Sequence, residues 1–352
     1  MEHGGDIYRN KVNMDFSVSL NPLGPDQRIL TAVRESVKKA AFYPDPLQEE
    51  VREALSDLTG LKSSCILAGN GASELLMAAV QAQSPKKALI FEPGFSGFHH
   101  VLRAVGCEIK SLILSEKEGF RIKRDHLKAM TDAVDLVMLC DPSNPAGLNL
   151  KEEVLYDLLE RAERNGTFVI LDESFYALSK KAYGQDMDRS GRLLENHDRL
   201  MLIRSMTKLL SIPGIRTGYA LSAPKNIERL KTRLPEWNLG APGEEAIKAG
   251  CRLLRNGDFI KRTLEETKKE REFLTDKLRE QGLKVFESDT VFILIKGPEE
   301  LYDRLLERGI LIRNLKDIPG LGPGFFRIGM RDHESNVKFV ETLKELQTQT
   351  GR

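Results

Sequence analysis

Four stretches of this chain are apolar without interruption and then stop on a polar side chain. They are Ala88-Leu89-Ile90-Phe91 before Glu92, Leu136-Val137-Met138-Leu139-Cys140 before Asp141, Phe168-Val169-Ile170-Leu171 before Asp172, and Leu200-Met201-Leu202-Ile203 before Arg204. A strand with one wet face alternates polar and apolar residues, so an unbroken run is a strand covered on both faces, the state of a parallel sheet sandwiched by helices. Helical stretches lie between the runs, which predicts an α/β chain of strand-helix-strand units with right-handed crossovers. In open sheets of this kind ligands bind outside the carboxyl ends of the strands, where these runs place their polar residues.

The chain has 352 residues, 41% hydrophobic, with a formal net charge of +1. That is enough to bury a full core and to hold two domains, or one large domain with an appendage. Acids and bases are mixed throughout and no basic tract is interleaved with aromatics, which argues against nucleic acid as a partner. No apolar run approaches the roughly 20 residues of a membrane span, and Met1-Glu2-His3-Gly4-Gly5-Asp6 lacks the basic and apolar regions of a signal peptide, so a cytoplasmic protein is expected. Cys65, Cys107, Cys140 and Cys251 are scattered without a Cys-x-x-Cys pair and read as reduced thiols, neither metal ligands nor disulfides.

The chemistry is densest between Arg204 and Tyr219. Lys208 follows the strand ending at Ile203, and Pro213-Gly214 then turns the chain into a second apolar run from Gly218. A lysine among apolar neighbours at a strand end loses hydration, which makes its neutral amine available to condense with an aldehyde. Ser205, Thr207 and Arg216 supply hydroxyls and a fixed cation for a phosphorylated one; an ordinary loop with a solvated lysine is the plainer reading. Upstream, Gly69-Asn70-Gly71-Ala72-Ser73-Glu74 turns the short strand Cys65 to Ala68 into a helix from Leu75 to Gln81. A glycine-rich turn opening a helix is an anion site, because unpaired N–H groups and the helix dipole point at the ligand.

Ser-x-Thr-Lys followed by Pro-Gly-x-Arg-x-Gly-Tyr resembles the cofactor-lysine segment of pyridoxal-phosphate enzymes of the aminotransferase class I/II superfamily, fold type I. Within it the chain looks most like threonine-phosphate decarboxylases of cobalamin biosynthesis and their sisters, the histidinol-phosphate aminotransferases, and the likeness runs over essentially the whole chain. The resemblance implies that Lys208 carries pyridoxal 5'-phosphate. It puts the cofactor phosphate on Gly71, Ala72 and Ser73, with Ser205, Thr207 and Arg216. It lays Phe95 flat against the pyridine ring, sets Asp172 at the ring nitrogen, keeping it protonated, and sets Asn144 near the phenolate oxygen. Read without it, Asp172 is a helix cap and Asn144-Pro145 a plain turn. Phe175 stands where aminotransferases of this fold carry a tyrosine and matches the decarboxylases. Tyr43, in Tyr43-Pro44-Asp45-Pro46, is implied to reach the cofactor phosphate of a neighbouring subunit, making the enzyme a homodimer.

The first segment, to Asn21-Pro22-Leu23-Gly24, is rich in Gly, Asn and Pro and is expected to be an arm lying over another part of the chain. Taken alone it reads as a loose terminus. The resemblance makes it the element that closes on substrate, with His3 and Asn21 as substrate contacts. Asp6 departs from the asparagine usual there, and an acid at that place would repel a phosphate. After a first helix from Gln27 to Ala40 and a second to Leu58, residues 44–240 are expected to form a large cofactor-binding domain. Residues 1–43 and 241–352 are expected to form the small one, joined by a helical stretch from Gly243 to about Gln281. Trp237-Asn238-Leu239-Gly240 stands where the decarboxylases have Trp-x-x-Asn, leaving the role of the asparagine open. Helices are expected near Glu300 to Arg308 and Glu334 to Leu346, with strands at Val291 to Leu294 and Ile310 to Ile312.

The last strand, Phe325 to Arg331, places Arg327 and Arg331 on one face and Phe326, Ile328 and Met330 on the other. Two such arginines are either solvated or bind an anion, and the resemblance implies that Arg327 grips the substrate carboxylate, with Arg331 beside it. The implied activity is loss of carbon dioxide from a phosphorylated amino acid, L-threonine O-3-phosphate first, or transamination. A non-catalytic binding protein on this fold would carry a DNA-binding helix pair or lose the lysine, and this chain does neither.

Overall fold

The computed structural model describes residues 4–182 and 189–350, so His3 lies outside the described residues. A two-residue strand, β1 (Met14–Asp15), precedes two helices, α1 (Gln27–Ser36) and α2 (Glu49–Thr59). Strands and helices then alternate through β2 (Ile66–Gly69), α3 (Ala72–Gln83), β3 (Lys87–Glu92), α4 (Ser96–Ala104), β4 (Glu108–Ile113), β5 (Leu136–Cys140), α5 (Glu152–Asn165) and β6 (Phe168–Asp172). They continue through α6 (Ser190–Asn196), β7 (Leu200–Ser205), the single turn α7 (Met206–Leu209), β8 (Gly218–Ser222) and α8 (Pro224–Lys231). The last third holds α9 (Ala241–Leu254), α10 (Asp258–Glu280), β9 (Lys284–Val285), β10 (Phe292–Lys296), α11 (Leu301–Glu307), β11 (Ile310–Leu311), β12 (Arg313–Asn314), β13 (Phe325–Gly329) and α12 (His333–Thr350).

Seven strands form the central sheet in the order β2-β8-β7-β6-β5-β3-β4, and only β8 runs antiparallel to its neighbours. Every residue of β5 and β6 is buried, as their unbroken apolar runs require. The sheet divides two cores by simple alternation. Val137, Leu139, Val169, Leu171, Leu200 and Leu202 face one side, and Leu136, Met138, Phe168, Ile170, Met201 and Ile203 face the other, against α3 and α4.

Two features differ from the sequence reading. Strand β4, parallel to β3 from Lys87↔Glu108 to Glu92↔Ile113, was not anticipated, because its charged and half-exposed residues suit an edge and carry no continuous apolar run. The stretch from Gly243 to Gln281 is two helices, not one. Helix α9 stops at Leu254, and Gly257, in the left-handed region at φ 78°, begins α10 at a new angle.

A four-stranded sheet, β12-β13-β10-β9, carries the third core, in which Phe326, Ile328 and Met330 meet Phe339 and Leu343 of α12. The arm joins this unit. β1 pairs in parallel with β11, and Phe16, fully buried, stacks on Phe339 at 4.6 Å between ring centroids. The Gly329 N–H donates to the Phe16 carbonyl (2.7 Å), and a Cβ built on Gly329 would stand 2.0 Å from the Val18 carbonyl oxygen. Gly329→Ala should therefore push residues 16–18 off β13. We expect a loss of about 1–3 kcal/mol in denaturant unfolding and faster proteolysis within the first twenty or so residues; a variant as resistant as wild type would show that the arm is not seated there.

Candidate active site

Lys208 sits on the one-turn helix α7, three residues past the end of β7. Burial pushes its amine down, the guanidinium groups of Arg327 and Arg216 push it further, and Asp172 opposes them only in part, leaving a pKa of about 8. The amine can thus be neutral near physiological pH. Beside it the Ser205 and Thr207 hydroxyls, both buried, share a hydrogen bond of 2.6 Å. Phe175, also buried, places its ring centroid 6.0 Å from Lys208 Nζ.

The turn after β2 lies against the same edge. Gly71, at φ 84°, leads into the N-terminus of α3, and a Cβ there would stand 2.8 Å from Arg216 Nη2. Gly218 is equally constrained, since its Cβ would stand 2.8 Å from the Arg204 carbonyl oxygen and 3.0 Å from the Ala72 nitrogen. Arg216 holds a left-handed backbone (φ 59°), which costs a side-chain-bearing residue on the order of 1–2 kcal/mol and aims its guanidinium at Gly71. A cation, two hydroxyls and the first N–H groups of a helix, with Ser73 exposed in its first turn, make a cradle that suits a phosphate group. The cradle is braced from behind. Glu74 accepts from the Asn70 N–H (2.7 Å) and from Asn238 Nδ2 (2.9 Å), Asn70 Nδ2 donates to the Asn238 carbonyl, and Gln48 Nε2 donates to Asn238 Oδ1 (2.9 Å). The asparagine left open in the sequence reading is thus a strut of the turn.

Asp172 closes β6, buried, with its Oδ1 accepting from the Ser174 N–H (2.9 Å). Burial raises its pKa, and the bonds from Ser174 and the charge of Lys208 offset this only in part. A carboxylate so poorly solvated favours a cation beside it. Arg327 of β13 donates from Nη1 to Asn144 Oδ1 (2.7 Å) and from Nη2 to the Ser17 carbonyl (2.9 Å). Because arginine only donates, Asn144 must present its oxygen there, leaving its NH2 group for another acceptor. Arg327 Nε is buried without a hydrogen-bond partner among the described residues, while its guanidinium lies 5.1 Å from the centroid of the Phe292 ring, which in turn meets Phe175 at 5.0 Å.

One residue beside this group was missed. Arg313 of β12 is directly opposite Arg327 in the antiparallel pair, on the same face, 8% exposed, and it lowers the Arg327 pKa. Its only signal in the sequence was its place after the apolar Ile310-Leu311-Ile312 run. Also unanticipated is a buried ionic cluster under the strand ends. Arg189 reaches Asp141 (2.6 Å) and Glu173 (2.8 Å), Glu173 accepts from Arg204 (2.8 Å), and Arg189 lies over the Tyr176 ring.

Other expected contacts fall elsewhere. Asn21 donates from its carboxamide to the Leu209 carbonyl and to Thr263 (both 2.9 Å) and accepts from the Leu23 N–H, so it ties the arm to α7 and α10. Arg331 donates to the Asp15 carbonyl (3.2 Å), which fastens it to the arm. Tyr43 is 83% exposed and rests on Trp237, with centroids 5.1 Å apart. Phe95 and Ser73 line one cavity between α3 and α4.

A family of aminotransferases, class I and II, matches residues 11–343, and the chain belongs to it. It is an enzyme that works with pyridoxal 5'-phosphate on the type I fold. A protein of Caldanaerobacter subterraneus subsp. tengcongensis that carries the provisional name threonine-phosphate decarboxylase is 33% identical, over 98% of this chain and 94% of its own. The threonine-phosphate decarboxylase of Salmonella typhimurium is 28% identical, over 95% and 91%. The crystal structure of histidinol-phosphate aminotransferase from Clostridium acetobutylicum superposes with a TM-score of 0.87 at 28% identity, over 96% of this chain and 99% of that one.

The pKa of about 8 makes a prediction for the cofactor-free protein. Labelling of Lys208 by an amine-selective reagent, read by mass spectrometry, should reach half its maximal rate near that pH. Arg327→Gln should move the midpoint up, since loss of a neighbouring cation makes the ammonium less costly. A midpoint near the ordinary lysine value in both proteins would refute the picture.

Proposed function

We propose that this enzyme decarboxylates a phosphorylated amino acid, with L-threonine O-3-phosphate giving carbon dioxide and 1-amino-2-propanol phosphate. The observation that carries the reading is Arg327, with Nε unbonded among the described residues and Arg313 set opposite it on one strand face. A guanidinium whose buried Nε has no partner among the described residues favours an anion beside it, and the carboxylate of a phospho-amino acid supplies one to Arg327. Arg327 takes the carboxylate and Arg313 the phosphate. Asp6, the acid that would repel a phosphate, is paired with Arg9 at 2.9 Å.

Bound pyridoxal phosphate supplies an electron sink for whichever Cα bond stands perpendicular to its ring. Arg327 decides which bond that is by where it holds the carboxylate. Lys208, with its lowered pKa, can return a proton to Cα after carbon dioxide leaves. Phe175 has no hydroxyl to offer near the ring, as in the decarboxylases. The second reading, transamination of the histidinol-phosphate type, is favoured by the close superposition on the Clostridium acetobutylicum enzyme.

The test offers L-threonine O-phosphate and phosphoserine, and separately histidinol phosphate with 2-oxoglutarate, and follows carbon dioxide and glutamate. Carbon dioxide from the first pair without glutamate from the second is expected; glutamate alone would leave the aminotransferase reading. The bound cofactor should be reducible by borohydride onto Lys208 and not onto Lys208→Ala. Arg313→Met should raise KM for the phosphorylated substrate on the order of 100-fold with a much smaller effect on an unphosphorylated one.

We further propose a cytoplasmic homodimer with sites shared between subunits. Phe42, Tyr43, Leu47 and Trp237 are large apolar side chains left 46–83% exposed on one part of the surface. If Tyr43 completes the partner's phosphate cradle, mixing Tyr43→Phe with Lys208→Ala subunits should restore activity in hybrids that hold one intact site. A fully active monomer in light scattering would reject this assembly.

A further inference from the structure

The turn that carries Phe95 is held by a buried pair that the mechanism does not use. Glu92, the last residue of β3, is 1% exposed. Its Oε2 accepts from the Gly94 N–H (2.6 Å), and its Oε1 meets His99 Nε2 (2.6 Å), one turn into α4. One carboxylate therefore spans the whole connection from strand to helix, across Pro93-Gly94-Phe95. The helix has no other side-chain cap, because Phe95 occupies the capping position and has no oxygen to offer.

The surroundings leave the Phe95 ring little freedom. A Cβ on Gly97 would stand 2.4 Å from Phe95 Cε1, one on Gly94 would stand 2.7 Å from the Phe91 carbonyl oxygen, and the Phe95 ring meets Phe98 edge-on at 5.5 Å. A carboxylate at this depth loses its hydration, and an apolar residue of the same size would fill the position at lower cost. What an apolar residue could not do is hold two points, Gly94 and His99, at fixed separation.

We propose that Glu92 and His99 are positioning residues that set the plane of the Phe95 ring and through it the hold on the cofactor's pyridine ring. The proposal rests on Phe95 being the ring-stacking residue. Cofactor-free protein is titrated with pyridoxal phosphate, reading the dissociation constant by fluorescence and the induced circular dichroism of the cofactor band. Phe95→Leu should weaken binding about tenfold. His99→Phe, which keeps the ring and loses the N–H, should weaken it by a comparable factor and reduce the dichroism. His99→Gln, whose amide can still donate to Glu92, should recover most of both. In the Phe95→Leu background His99→Phe should add little, because the two act through one ring.

If His99→Phe fails to fold, Glu92→Gln, which keeps the volume and leaves one of the two acceptor oxygens, takes its place in the same cycle. A Phe95→Leu effect accompanied by wild-type binding and dichroism in His99→Phe overturns the positioning role alone. Fully additive effects do the same. An inert Phe95→Leu removes the stacking reading and the proposal together.

Discussion

At the ends of β6 and β7 the two-residue period of extended chain sends Asp172 and Ser205 to one side of the sheet and Glu173 and Arg204 to the other. Everything in the site depends on that sorting. On the side that faces α3, Asp172, Ser205 and the turn at Gly71 come to one edge, with Lys208 on the short helix that follows. On the opposite side the neighbouring residues form the Asp141, Arg189, Glu173 and Arg204 cluster, joined by contacts of 2.6 to 2.8 Å. The cluster clips together the carboxyl ends of β5, β6 and β7, the strands that end at or just before Asn144, Asp172 and Lys208. Glu173 shows the balance within it: burial alone would raise its pKa, yet the two arginines hold it below the ordinary value.

The side that carries Asp172 and Lys208 is arranged the opposite way, with burial working against its charges. Asp172 is pushed up and Lys208 down, and Arg327 is pushed down by burial and by Arg313, although it stays charged. Charges that burial disfavours in this way are eased when a charged ligand comes beside them. Part of the binding free energy of cofactor and substrate is stored as this mismatch.

The amino-terminal arm connects both sides. Phe16 fills the third core, Ser17 offers its carbonyl to Arg327, and Asn21 bonds α7 and α10. The arm therefore holds Arg327 and the helix of Lys208 in a common frame. Its capacity to do so comes from small residues: Gly4 and Gly329 each leave room that a methyl group would take from a backbone oxygen.

The sequence by itself determined the class of fold. Unbroken apolar runs identify parallel strands because only strands covered on both faces need them, and the polar residue after each run marks the ligand edge. Asp172 was singled out in this way, Lys208 by its place after the next strand, and Asn144 and Arg216 by the motif resemblance. What tertiary structure decided were pairings between distant segments, which leave no local pattern. Arg313 became visible only through its register with Arg327, Asn21 proved to bond Thr263, 242 residues along the chain, and Asn238 proved to brace a turn formed 168 residues earlier. Hydrogen bonds and ion pairs act over about 3 Å in space, so which residues they join is settled by how the sheets and arm pack.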